Sequence, residues 1–385
     1  MQGYQQLRTQ RQQQALWRVR SNSETVDPSL NFASNDYLAL SRNQAIVSAF
    51  QQGLQRWGTG SGGSPLTSGY QGPHEALEAQ LCEWLNAEAA LLFSSGFAAN
   101  QSVINLARKQ GYQPVLDRLC HASIYAGAGE RPLRFRHNDL AHLSQQCAKA
   151  EQLNQTAAPL VVTEGVFSMD GDGAPIAEIL ALLENSNALV FVDDAHGIGC
   201  YGEQGCGSVT KEQAASIPVR TITFSKALGL HGAAVVGQKA WIESLVQLAP
   251  DYIYSTAMSA AQAFAIQKSV NLVRSESALQ TQLQANIASF KQGAAQLKLK
   301  IMPSNTAIQP LWVGSNAHAI TLSQLLQAQG IFCTAIRPPT VPPNEARLRF
   351  TLTNHQRDES YQRLFSSLKN IFDRYPELQE ACCGV

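Results

Sequence analysis

From Ala89 onward, short apolar runs alternate with longer stretches whose apolar positions recur every three or four residues. The runs are Ala89 to Phe93, Leu160 to Thr163, Ala188 to Val192, Thr221 to Phe224 and Ala233 to Val236. Each has strand length and is bounded by turn formers. Strands alternating with helical spacing predict an α/β layer on a largely parallel sheet. Upstream, Gln2 to Arg20 reads as a polar helix and Leu30 to Leu38 as a short strand ending in turn formers, while Gln44 to Gln55 and Pro73 to Leu85 have helical spacing. Beyond about Ser269, a long helical region from Ser275 to Leu297 leads to strands near Ile308 to Val313 and Arg347 to Leu352, then a helix from Asp358 to Tyr375. The expected organisation is an N-terminal segment over residues 1–43, a large domain over 44–270 and a smaller C-terminal α+β domain over 271–385.

Composition narrows the partners. Twenty-nine Lys and Arg balance 29 Asp and Glu, which removes any global attraction to nucleic acid or an anionic membrane. Small molecules and further copies of the chain are the expected partners. The eight cysteines lack the paired spacing of a zinc site. The first twenty residues are rich in Gln and Arg, and no segment approaches the ~18 uninterrupted apolar residues of a membrane span. A reducing cytoplasm is the simplest home.

Parallel sheets bind ligands outside the carboxyl ends of their strands, where this chain places Ser94-Ser95-Gly96, Glu164-Gly165, Asp193 to His196 and Ser225-Lys226. A reactive amine and an acid on neighbouring strand ends suit pyridoxal 5'-phosphate. Lys226 can form a Schiff base with the aldehyde, and Asp193 can keep the pyridine nitrogen protonated so that the ring accepts carbanion electrons. Asp193 taken alone is as readily a helix cap, with Asp194 a capping partner. His196, three residues after Asp193, lies within reach of a phenolic oxygen, and Glu164 and Ser168 end another strand on the same face. His121 among small residues can lie flat on an aromatic ring or be a packed core histidine. Ser95-Gly96-Phe97 has the form of a strand turning into a helix N-terminus, which suits a phosphate; Thr223 and Ser225 could add hydroxyls. Gly58 to Gly63 matches G-x-G-x-x-G literally, but no buried strand precedes it and no helix opens promptly after it, so a dinucleotide site is a weak reading.

Eight segments in order carry a family likeness. They are Ser34-Asn35-Asp36-Tyr37-Leu38, Gly60-Ser61-Gly62-Gly63-Ser64, Ser95 to Asn100, His121-Ala122-Ser123, Asp193 to Gly197, Phe224-Ser225-Lys226, Tyr254-Ser255-Thr256 and Arg347 to Thr351. Together they resemble the α-oxoamine synthases, a branch of the fold-type-I pyridoxal-phosphate enzymes. The resemblance implies a transferase whose large domain holds a mostly parallel sheet, with a smaller C-terminal α+β domain. It also implies a homodimer with shared active sites.

The resemblance further implies roles for single residues. Lys226 would carry the cofactor, Asp193 would pair with its ring nitrogen, His196 and Ser168 would contact its phenolic oxygen and His121 would stack on the ring. Gly96, Phe97 and Thr223 would hold the phosphate, Thr256 would reach the phosphate in the partner subunit, and Arg349, with Asn35, would hold the amino-acid substrate. Asn31 to Leu38, Arg136 to Asp139 and Ile253 to Met258 look most like members that condense L-alanine with a pimeloyl thioester on coenzyme A or acyl carrier protein. Pro65 stands where several relatives carry arginine, so that loop does not settle the acyl donor. The rival readings are a sister acyltransferase using glycine or serine and a non-catalytic subunit of the same fold.

Overall fold

A computed structural model describes residues 2–20, 22, 24–130, 132–153 and 158–384. The chain divides into two compact units. The larger contains Leu38–Ser168 and Gly173–Gln280; the smaller contains the chain up to Tyr37, Met169–Asp172 and the chain from Thr281 onward.

The larger unit is organised by seven strands: β1 (Ala89–Phe93), β2 (Gln113–Asp117), β3 (Leu133–Phe135), β4 (Pro159–Glu164), β5 (Leu189–Asp193), β6 (Val219–Thr223) and β7 (Ala233–Gly237). Their order across the sheet is β1-β7-β6-β5-β4-β2-β3. β7 pairs antiparallel with both neighbours, while the other pairings are parallel. The largely parallel sheet read from the apolar rhythm is therefore present, with one strand reversed.

The central strands are buried on both faces. Alternate residues enter separate cores: Leu160, Val162, Phe191 and Val219 pack with the helix Gly96–Lys109, whereas Val161, Val190 and Val192 pack with Leu143 and Ile179. Register then aligns the strand ends. Glu164 stands opposite Asp193, and Asp193 stands opposite Thr221. By strand alternation, Glu164, Asp193, Thr221 and Thr223 share the face covered by the helix Gly96–Lys109.

β6 and β7 are joined by a tight reversal that carries Ser225 and Lys226. The N–H of Phe224 donates to the Gly232 carbonyl at 2.9 Å, that of Leu230 to the Phe224 carbonyl at 2.8 Å, and that of Gly229 to the Lys226 carbonyl at 2.9 Å. Gly229 has φ +71°. A Cβ there would lie 2.5 Å from the backbone of Leu40 and Ser41.

In the smaller unit, β8 (Ile308–Gly314), β9 (Thr334–Ile336) and β10 (Ala346–Thr351) form an antiparallel sheet in the order β8-β10-β9. An aromatic core of Phe32, Phe290, Phe350 and Tyr361 packs beside it, with Phe32 edge-on to Phe350 at 6.1 Å. Arg347 is 1 % exposed and is held by Asp170 at 2.6 Å and Glu345 at 3.3 Å.

Several expected elements differ. Leu30 to Leu38 is not a strand: Pro28–Leu30 is a single 3-10 turn, and Asn31 forms an isolated bridge to Phe332. The Asn31 and Ser34 side chains then accept from the backbone N–H groups of Ala33 and Asp36, folding the chain into turns. The N-terminal helix stops at Gln13 rather than Arg20, just before Ala15 adopts φ +55°. The long helix expected from Ser275 to Leu297 is present as Ala278–Gln296, and a further helix, Ala260–Ser275, precedes it and ends where Glu276 leaves helical geometry. The glycine-rich stretch follows the helix Gln44–Trp57 instead of a strand, which removes the structural context of a dinucleotide fingerprint.

Gly229→Ala is expected to destabilise the larger unit by roughly 2–4 kcal/mol, combining left-handed backbone strain with overlap against Leu40 and Ser41. The check is a lower denaturant midpoint; an unchanged midpoint would contradict this account of the loop.

Candidate active site

The larger unit brings His121, Glu164, Asp193 and Lys226 into one electrostatic group. Asp193, 5 % exposed, ends β5 and accepts through both oxygens: Oδ1 from the Ala195 N–H at 3.0 Å and Oδ2 from the Asn100 amide at 2.6 Å. No helix follows it, so the capping reading fails; the Ala195 bond is a local turn. Glu164, at the end of β4, is sealed from water and accepts from the backbone N–H of His121. Burial pushes the Glu164 carboxyl well above the usual carboxylate range, Asp193 adds to the rise, and the His121 N–H and Lys226 oppose it.

His121 immediately precedes the helix Ala122–Ala128. Its Nδ1 accepts from the Ser123 N–H at 3.2 Å and stands 2.8 Å from Ser123 Oγ. Although the residue keeps an exposed side, burial of the ring lowers its pKa; Asp193 raises it and Lys226 lowers it further. Phe97 approaches His121 edge-on at 6.4 Å. Lys226 is half-buried, while His196 and Ser168 are buried in the turns after β5 and β4.

A strand-to-helix turn stands beside this group. Ser95 caps the helix Gly96–Lys109 by accepting from the Ala98 N–H at 3.2 Å. A Cβ built on Gly96 would lie 3.9 Å from Thr223 Oγ1, so the helix start and the end of β6 frame a gap of side-chain width. Thr223 Oγ1 is 2.7 Å from Ser225 Oγ and donates to the Gly232 carbonyl at 3.0 Å. Helix N-H groups, small residues and hydroxyls form a donor set suited to a phosphate. With a buried acid, an amine and an imidazole nearby, the residues fit pyridoxal 5'-phosphate.

Thr256 is exposed and lines a recess with Ser94, Tyr70, His74 and Glu78. Asn35 and Arg349 belong to the smaller unit, where Arg349 is 9 % exposed and senses Tyr37. The Oδ1 of Asn35 is buried without a hydrogen-bond partner among the described residues.

Two features escaped sequence reasoning. Asn100 looks like an ordinary polar helix residue, yet it is buried and bonded to both Asp193 and Ser123. Its only signal is its place one turn after Gly96. The second is the pairing of Asp194, read from the sequence only as a capping partner: its carboxylate accepts from Ser208 Oγ at 2.6 Å and faces the buried Arg220 at 3.5 Å. Burial pushes Asp194 up to about 6, opposed by Arg220 and Ser208. Gly197 must lack a side chain here, since a Cβ would lie 2.0 Å from Asp194 Oδ1.

A model of the family described as aminotransferase class I and II matches residues 27–367. Proteins named 8-amino-7-oxononanoate synthase from Serratia proteamaculans and Yersinia pseudotuberculosis are 46% and 47% identical over 345 residues, covering 89% of this chain and 89% of each relative. Among solved structures, serine palmitoyltransferase of Sphingomonas wittichii superposes with TM-score 0.88 at 26% identity, covering 98% of both chains. The 8-amino-7-oxononanoate synthase of Francisella tularensis superposes with TM-score 0.75 at 25% identity, covering 91% of this chain and 99% of that one. No helix among the described residues is long and apolar enough to cross a membrane, and no metal-binding cluster occurs among them.

Glu78 gives a pH test of the recess. Burial pushes its carboxyl up to about 7, against hydrogen bonds from the Tyr70 hydroxyl and the Leu92 backbone. The folded protein thus keeps this proton where the unfolded chain, with an ordinary value near 4.5, has released it. The stability contribution is complete below the unfolded value and is lost as pH rises through the folded one. Glu78→Gln does not titrate, so its stability relative to wild type should improve as pH rises across that window, measured by denaturant titration. A pH-independent difference would contradict the assignment.

Proposed function

The chain belongs to the aminotransferase class I and II family, and within it we propose that it condenses L-alanine with a pimeloyl thioester to give 8-amino-7-oxononanoate, carbon dioxide and the free thiol carrier, a step of biotin biosynthesis. The observation that carries the reading is the strand-end group itself: Glu164 and Asp193 end adjacent strands in register, the His121 N–H bonds Glu164, and Lys226 stands just past the end of β6, in a chain 46–47% identical to proteins of that name. A non-catalytic subunit has no need of that group.

Pyridoxal 5'-phosphate, when bound, supplies an electrophilic aldehyde and a protonated ring that accepts the electron pair of a broken Cα bond. Lys226 Nζ would hold the aldehyde and, as a free amine, would be the base for the alanine α-proton. The Asp193 carboxylate keeps the proton on the ring nitrogen. His121 covers one face of the ring, excluding water, and His196 and Ser168 hydrogen-bond the phenolic oxygen. Gly96 and Phe97 offer backbone N–H groups to the phosphate and Thr223 a hydroxyl. Thr256, exposed on its own subunit, serves the phosphate of a partner subunit in a homodimer.

Arg349 grips the alanine carboxylate, with Asn35 as a second polar contact. A bidentate guanidinium fixes the carboxylate and so decides which Cα bond stands perpendicular to the ring. The alanine Cα, after giving its proton to Lys226, would bond to the thioester carbonyl carbon with loss of the thiolate of coenzyme A or acyl carrier protein, and the alanine carboxylate would then leave as carbon dioxide. A proton returned to Cα from Lys226 or His121 completes the product.

Purified protein given L-alanine, glycine or L-serine with pimeloyl-CoA or pimeloyl carrier protein should yield the 8-amino-7-oxononanoate mass from alanine alone; turnover confined to glycine or serine would refute the substrate assignment. Lys226→Ala, loaded with cofactor, treated with borohydride and then denatured, should retain no pyridoxyl group. It should also lose turnover by at least about a thousandfold. Covalent pyridoxyl in that variant would move the attachment point elsewhere.

A further inference from the structure

The Asn100 side chain forms a fork. Its Nδ2 donates to Asp193 Oδ2 at 2.6 Å and to Ser123 Oγ at 3.0 Å, while its Oδ1 is buried without a partner among the described residues. The orientation is forced, because a flipped amide would set its oxygen against the carboxylate and leave Ser123 without that donor. An unpartnered buried acceptor is destabilising. The site tolerates that cost for an arrangement in which both amide hydrogens point at the chemistry.

Direction propagates from the fork. With the Asn100 hydrogen on Ser123 Oγ, the serine hydroxyl can turn its own hydrogen to His121 Nδ1, 2.8 Å away, where the Ser123 backbone N–H also points at 3.2 Å. The neutral imidazole then carries its hydrogen on Nε2. On the other arm, the Ala195 N–H and the Asn100 amide occupy both oxygens of Asp193 as donors. Donors run outward from Asn100 in both directions, so no proton passes between Asp193 and His121 through this chain. Each group keeps the protonation state that its own task needs.

We propose that Asn100 is a positioning residue for the cofactor ring: by donating to Asp193 and Ser123 at once, it holds the carboxylate that faces the ring nitrogen as an acceptor and insulates it from the imidazole on the ring face. The proposal rests on the cofactor reading above. The side chain comes from the second turn of the helix Gly96–Lys109, whose first turn faces the phosphate gap. One rigid helix would therefore align the phosphate end and the nitrogen end of the same ring.

The test uses full-length protein loaded with pyridoxal 5'-phosphate labelled with nitrogen-15 in its ring, observed by NMR, together with cofactor affinity by equilibrium dialysis. Asn100→Leu removes both donors at similar volume; Asn100→Ala removes them by truncation. Either should weaken cofactor binding by roughly tenfold or more, the scale of a lost hydrogen bond to a charged group. The ring-nitrogen signal should move from the protonated toward the unprotonated position. Ser123→Ala, which leaves both Asp193 donors in place, should keep the wild-type ring signal, while nitrogen-15 label placed in the histidines should show His121 Nδ1 altered.

Wild-type ring signal and affinity in the folded Asn100 variants would overturn the proposal. So would an equal ring shift in Ser123→Ala, which would point to general disturbance of the site. A wild-type protein that binds no cofactor at all would instead sink the underlying reading, and the proposal with it.

Discussion

Two carboxyl groups end adjacent strands in register, both nearly sealed from water, and the arrangement of the larger unit answers that difficulty. Glu164 and Asp193 cannot both carry charge in such surroundings without opposing donors or cations. Glu164 is driven toward its neutral form and accepts from the His121 backbone, while Asp193 is supplied with hydrogens by Asn100 and Ala195. Sheet register, the start of the helix Gly96–Lys109 and the turn holding His121 are thus parts of one solvation problem. Asp193 can stay buried because its neighbours have taken over the work of water.

The next residue faces the other way. Asp193 turns toward the helix Gly96–Lys109, whereas Asp194 turns to Ser208 and to Arg220, which lies on the opposite face of β6 from Thr221. Breaking a buried ion pair by removing one partner typically costs about 3–5 kcal/mol. Arg220 also donates to the Cys206 carbonyl at 3.2 Å, so the pair fastens the chain after β5 to its neighbouring strand. Two consecutive acids therefore face opposite sides of the sheet, one held by the helix Gly96–Lys109 and one anchored to Arg220.

Much of this was legible in the residues alone. Apolar runs gave β1, β4, β5, β6 and β7 to within two residues at either end, because strands buried on both faces must be apolar throughout. β2 and β3 were missed: Pro114 interrupts the first, and the second is three residues long with Arg134 at its centre. Leu30 to Leu38 looked like a strand because it is apolar in part, but its polar side chains compete for the backbone. Strand ends revealed Asp193 and Lys226 as types of residue in a place. Asn100 and Arg220 were hidden because each sits inside a regular element, where only the fold shows what it touches.

The path of the main chain at Phe32 has a further meaning for biogenesis. Its N–H donates to the Phe332 carbonyl and its carbonyl accepts from the Thr351 N–H, both at 2.7 Å. The segment around Phe32 therefore has docking partners that are translated long after it. Leu38 to Gln280, which includes the complete seven-stranded sheet, is translated in the interval. Nascent protein would acquire its larger unit first and hold the segment around Phe32 in waiting until Phe332 and Thr351 have been made.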